Sequence, residues 1–156
     1  MLAALLSAGA VLGAEAAVRT RINRAPDGTY PRMLTKHVQL RRAHNRGLVG
    51  SRMETHPAVV YGAQTAATAI ALGAAVLVHL PVTQAPFFAR LGSGLLVGGA
   101  LANTGERYAR HHVTDYLYLK DSRIPLLCKR IWNLADAAIF NGAVMTAAGI
   151  LLGGVL

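Results

Sequence analysis

Apolar residues gather into four long stretches, 1–18, 58–80, 86–105 and 131–156, and the polar residues fall mainly into two loops, 19–57 and 106–130. A helix rising 1.5 Å per residue needs about 20 residues to cross a hydrocarbon core of about 30 Å. The second and fourth stretches meet that length comfortably, and the first and third are marginal. Arg90, near the start of the third, can snorkel to the interface and leave 91–105 as its dry part. Ala14-Glu15-Ala16 in the first looks like the cleavage site of a secretory leader. No Lys or Arg precedes Arg19, however, so the stretch is read as a retained membrane helix.

Small residues four apart let helices approach closely in lipid, and the chain supplies Gly94 with Gly98, Gly98 with Ala102, Ala143 with Ala147, and Gly149 with Gly153. The expectation is an all-α membrane protein, one integral domain over residues 1–156 folded as a four-transmembrane-helix bundle. Past the third helix, Val113-Thr114-Asp115-Tyr116-Leu117-Tyr118-Leu119 alternates in a way that predicts extended backbone.

Composition agrees with a membrane domain: 53% of residues are hydrophobic, 15% are charged, and mean hydropathy is +0.38. A net charge of +9 would suggest nucleic acid in a soluble protein. Here the cations lie between apolar runs, so phospholipid head groups are the expected contact and nucleic acid is not. Cys128 is the only cysteine, which excludes an intrachain disulfide or a thiolate metal site. It reads as a small interfacial hydrophobe.

Two carboxylates stand out against this background. Asp136 opens a run from 137 to 156 without an ionisable side chain, and Asp115 sits in the extended segment. Ionisable groups at the edge of a membrane helix are costly and point to function. If all four stretches span, loops 19–57 and 106–130 share one side, so both aspartates lie on the same face. About 20 residues separate Asp136 from the last residue, which puts it at the membrane entrance and not at the midplane.

Two such carboxyls in a low-dielectric site cannot easily both ionise. One can act as general base on water while its protonated partner donates a hydrogen bond to a peptide carbonyl, the chemistry of an aspartic protease. Competing chemistry is weak. His111-His112 is adjacent and lacks a helical metal spacing, Ser7, Ser51, Ser93 and Ser122 lack a nucleophile setting, and there is no phosphate-binding loop. No metal and no cofactor are expected.

Three segments together resemble the C-terminal signature of signal peptidase II, the lipoprotein signal peptidase family: Gly98-Gly99-Ala100-Leu101-Ala102-Asn103-Thr104-Gly105-Glu106-Arg107, Val113-Thr114-Asp115-Tyr116, and Trp132-Asn133-Leu134-Ala135-Asp136-Ala137-Ala138-Ile139. The resemblance implies that Asp115 and Asp136 form the catalytic dyad and that Asn103, Arg107 and Asn133 position substrate or dyad. Asn103 and Arg107 would lie four apart on one helical face. Glu15 and Arg19 keep the spacing of the family's Asp-to-Lys pair, and Asn45-Arg46-Gly47 resembles its Asn-x-Gly-Ala-Ala-Phe loop, which adds Asn45 and Gly47 to the expected substrate-binding residues. The sequence departs from the pattern at Ala102, Glu106, Trp132 and Leu48-Val49-Gly50.

The implied activity is removal of the signal peptide from lipid-modified bacterial prolipoproteins, by hydrolysis just before the diacylglyceryl-cysteine. The implied location is the bacterial cytoplasmic membrane with the site facing outward. Loop 19–57 carries nine Lys or Arg residues against Asp27 and Glu54, and the positive-inside rule would put it in the cytoplasm. The family orientation is preferred here because the motifs are specific while charge bias is statistical. On that orientation the basic loop grips anionic phospholipid. The sequence leaves open whether this loop folds as a small sheet, as the family's extramembrane cradle between helices 1 and 2 implies, or orders only when substrate arrives. A non-catalytic membrane scaffold or lipid-binding protein is the alternative; a proton-coupled transporter would want its acids near the midplane.

Overall fold

The computed structural model describes residues 1–48, 51–120 and 130–152. Its helices are α1 (Leu2–Arg24), α2 (Pro57–His79), α3 (Phe87–Arg110) and α4 (Leu134–Leu152), with a 3₁₀ turn at Pro81–Thr83 between α2 and α3. Four short strands, β1 (Arg32–Met33), β2 (Val38–Asn45), β3 (Val113–Leu119) and β4 (Ile131–Trp132), form one antiparallel sheet in the order β1-β2-β3-β4. The fold is mostly helical with this sheet at one end.

The cradle therefore differs from the expected one. It is not built between helices 1 and 2 alone, since β3 and β4 come from the connection between α3 and α4. The register runs from Val38 opposite Leu119 to Asn45 opposite Val113, with an irregularity between Leu40 and Ala43. A two-stranded ribbon is marginal by itself, and joining both connections satisfies the inner strand edges. Pairing across this distance in sequence leaves no local signal. The alternation at 113–119 did predict β3 correctly.

The helices also run past the apolar stretches, to Arg24 and to Arg110, because apolarity marks where a helix suits lipid and not where its hydrogen bonding ends. Conversely, α4 begins at Leu134 and not at 131, since Ile131 and Trp132 pair with Tyr118 and Leu117 in the sheet. Among the described residues α1, α2 and α4 are long and apolar enough to cross a membrane. The expected fourth span, α3, has 24 residues but does not reach that apolarity. Its place explains why: α3 packs against all three other helices and buries Ser93, Asn103 and Arg107 in the bundle instead of facing lipid.

Close approach fixes the helix pairs. A Cβ on Gly98 would stand 2.8 Å from the Ala8 backbone of α1, and one on Gly142 of α4 would strike the backbone of Leu96 and Gly92 in α3. The Gly94 and Gly98 pairing predicted as a contact face thus meets α1. Ala143 and Ala147 do not form a contact, for they are exposed while Ala135, Ala138, Gly142, Thr146 and Gly149 make the buried face of α4 at helical spacing. Gly153, Cys128 and Ser122 lie outside the described residues. At the end of the bundle away from the sheet, Val78, Ala85 and Ala89 form a small core with Ile150.

Candidate active site

Asn133 organises the centre of the site from the residue before α4. Its side-chain Oδ1 accepts the Asp136 N–H at 2.8 Å, while its own N–H donates to Asp136 Oδ2 at 3.2 Å. This is a reciprocal cap: two backbone donors at a helix start are satisfied by the side chains three residues apart. The same Asn133 uses its remaining group, Nδ2, to donate to Asp115 Oδ1 at 2.7 Å. One amide therefore links both aspartates, which β3 and α4 deliver from either side of it.

Each carboxylate also takes a side-chain amide from another element. Asn45, at the end of β2, donates to Asp115 Oδ2 at 3.2 Å, and Asn103 of α3 donates to Asp136 Oδ1 at 3.0 Å. Asn45, Asn103, Arg107, Asn133, Asp115 and Asp136 all line one cavity of about 240 Å³ at the junction of bundle and sheet. Six of the seven residues singled out from the sequence are thus brought together. The seventh, Gly47, supports the wall: its N–H donates to Asn45 Oδ1 at 3.1 Å and its carbonyl accepts from Arg107 at 2.8 Å. Arg107 also donates to the Arg46 carbonyl at 3.0 Å, so this cation holds the 45–47 turn in place.

Burial and the nearby Asp136 charge, in that order, push the Asp115 carboxyl up to about 7, against the pull of the Asn133 and Asn45 hydrogen bonds. Such a group gives up its proton only near neutrality. Beside β3, burial and then the His44 ring hold His112 below the usual histidine range; the two ring centroids lie 4.2 Å apart with the planes tilted by 35°. Its neighbour His111 is exposed, while His112 is half-buried. Among the described residues no group of three or more His, Cys, Asp or Glu side chains stands together to hold a metal.

Behind the cavity runs a buried charge network. Glu15 and Arg19 pair at 3.0 Å within α1, and Arg19 also meets Glu106 at 3.2 Å. Arg19 donates to Asn103 Oδ1 at 2.6 Å, which turns the Asn103 amide toward Asp136. Glu15, 1% exposed, accepts the Ala135 N–H and the Tyr116 hydroxyl, and that hydroxyl in turn accepts the Leu134 N–H at 3.1 Å. The start of α4 is thus tied to α1 as well as capped by Asn133. Nothing in the local sequence marks a role for Tyr116, or for Ala63, Gln64 and Ala67, which form the α2 wall of the cavity. Their spacing of one and four residues on α2 is that of any helix face.

A family model described as signal peptidase (SPase) II matches residues 8–152. The chain belongs to the signal peptidase II family. The lipoprotein signal peptidases of Brucella ovis and Brucella canis are each 35% identical to it over 112 residues, which cover 70% of this chain and 65% of theirs. Two solved structures, each described as a bacterial membrane enzyme, share the fold with TM-scores of 0.75 and 0.71 at 20% identity. These alignments cover 96% and 95% of this chain and 87% and 92% of the others. In this signal peptidase II member the Glu106 carboxylate reaches both ways, accepting the Thr114 N–H at 2.8 Å and its hydroxyl at 2.7 Å while pairing with Arg19. It anchors the start of β3, one residue before Asp115.

Proposed function

We propose that this protein is an aspartic endopeptidase of the bacterial cytoplasmic membrane that removes the signal peptide of lipid-modified prolipoproteins. It cuts the peptide bond just before the diacylglyceryl-cysteine. The observation that supports this most is that Asn133 meets both carboxylates in one cavity, Asp115 through its Nδ2 and Asp136 through its backbone N–H. Membership in the signal peptidase II family supplies the substrate class.

In this mechanism Asp136 is the base. It lies in the first turn of α4, where the helix terminus favours an anion, and it takes hydrogen bonds from a backbone N–H and an amide. Asp115, raised to about 7, is the partner that keeps its proton. A water between them gives a proton to Asp136 as its oxygen attacks the scissile carbonyl carbon, while Asp115 donates a hydrogen bond to the carbonyl oxygen. The tetrahedral intermediate collapses as the C–N bond breaks, and the proton held by Asp136 passes to the leaving amine. No covalent intermediate with the protein forms. The site faces the outer side of the membrane, where the scissile bond lies between the signal helix and a mature chain held down by its acyl groups.

The test is cleavage of a lipidated precursor by reconstituted wild type, Asp115→Asn and Asp136→Asn. Each variant should lose activity by about 10³-fold or more while keeping its fold, since general acid-base groups supply about 10²- to 10⁴-fold each. Equal turnover by all three proteins would end the protease reading.

A further inference from the structure

The last turns of α1 present Ala17, Thr20, Arg21 and Arg24 on one face, because these residues stand three and four apart. Opposite them lie Thr29, Tyr30 and Arg32, and the two surfaces border an open recess of about 510 Å³. Three guanidinium groups therefore line one recess, and among the described residues no acid lines it. The ion pairs among the described residues join Arg19 to Glu15 and Glu106, and Arg42 to Asp27; none takes up Arg21, Arg24 or Arg32. Three like charges in one recess repel one another and attract an anion. Arginine's planar fork suits the oxygens of a phosphate.

What lies along the rest of α1 decides the kind of phosphate. The same helix face continues through Ala10, Gly13 and Ala14, and Ala10, Gly13 and Ala17 are exposed. A Cβ placed on Gly13 would meet nothing within 4 Å, so the face is open and shallow. Because α1 is long and apolar enough to cross a membrane, this small-residue track lies in hydrocarbon and the cationic recess caps its end. A soluble phosphate would use only the recess. A lipid would use both.

We propose that this recess binds the phosphate of an anionic phospholipid between Arg21, Arg24 and Arg32, with an acyl chain lying along Ala10, Gly13, Ala14 and Ala17. The Thr20 and Tyr30 hydroxyls donate to the head group. The site is separate from the aspartate cavity, which shares no lining residue with it. Bound lipid would fix the edge of the sheet, through β1, against the end of α1.

Native mass spectrometry of the detergent-solubilised full chain tests this, with phosphatidylglycerol and phosphatidylcholine of equal chain length as probes. Phosphatidylglycerol should be retained in preference. Changing Arg21, Arg24 and Arg32 together to Gln should weaken its binding about a hundredfold, the combined effect of three cations at a lipid surface. A control triple, Arg90→Gln, Arg110→Gln and Lys120→Gln, removes equal charge at exposed residues that neither line the recess nor belong to the 19–57 loop, and should leave binding within about twofold, since the attraction falls off within a Debye length. If the first triple does not fold, Arg24→Gln and Arg32→Gln singly should each weaken binding about fivefold. Equal losses in the two triples would reduce the effect to diffuse charge and overturn the site. So would unchanged binding in the Arg variants, or displacement of the lipid by millimolar inorganic phosphate as readily as by more phosphatidylglycerol.

Discussion

Asn133 Nδ2 lies 2.7 Å from Asp115 Oδ1, and the rest of that same asparagine caps the helix that carries Asp136. One residue thus sets both the start of α4 and the spacing of the two acids. Replacing it by Ala should cost about 1 kcal/mol of stability through the lost cap. It should also lower kcat by about 10- to 100-fold through the lost hydrogen bond to Asp115. Asn133→Ser retains a capping oxygen but cannot reach Asp115, so it should recover most of the thermal stability and little of the rate. Precursor cleavage and thermal unfolding, measured on both variants, separate the two effects.

The raised Asp115 carboxyl predicts a pH dependence with a definite sign. An acid whose folded value is about 7, against the usual 3.8, keeps in the folded state a proton that the unfolded chain has released. Stability therefore declines as pH rises between those values, and the proton-donating form is lost as pH passes about 7. Cleavage should fall on the alkaline side with a midpoint near 7. In Asp136→Asn the neighbouring charge is gone, and the Asp115 midpoint, followed by carbon-13 NMR, should move down. A midpoint that stays in place would show that Asp136 does not set it.

Arg19 sits between two buried acids, Glu15 and Glu106, and steers Asn103 toward Asp136. Arg19→Gln leaves both carboxylates without their cation and should destabilise the fold by about 3–5 kcal/mol. Adding Glu15→Gln to the same chain should restore part of that loss, because a neutral amide is cheaper to bury than an unpaired charge. Unfolding of the two variants in detergent checks the order.

Gly99 faces the start of α4, where an added Cβ would lie 2.6 Å from the Ala135 carbonyl and 2.8 Å from the Ile139 side chain. Gly99→Ala should cost about 1–3 kcal/mol by overpacking. Because the clash is one residue from Asp136, kcat should fall more than the stability change alone would suggest. Gly105→Ala, whose Cβ meets nothing within 4 Å, is the matched control and should be close to wild type.

Orientation can be read directly. With Cys128 replaced by Ser, a single cysteine introduced at Lys36 should react with a membrane-impermeant reagent from the outer side of intact cells. Labelling only from the cytoplasmic side would reverse the proposed topology and agree with the positive-inside expectation for the 19–57 loop.

Much of this was legible in the chain because it rests on local rules. Apolar length fixes where helices can cross lipid, alternation at 113–119 marks a strand, and the order of the Asn103, Asp115 and Asn133-to-Asp136 segments marks the family. What sequence could not decide depends on residues that are far apart along the chain. That β2 pairs with β3 is settled by edge hydrogen bonds closed across some 70 positions, so the sequence points to a cradle from one loop when it takes strands from two. The facing of α4, with Gly142 and Thr146 inward and Ala143 outward, follows from how closely α3 can approach, and small residues on several faces made the choice ambiguous. The reach of Glu15 from α1 to the start of α4, and the α2 wall of Ala63, Gln64 and Ala67, arise only when the helices are packed together. The chain alone named the two acids; packing around Asn133 brought them to one cavity, because a single amide can satisfy a helix end and a buried carboxylate at once.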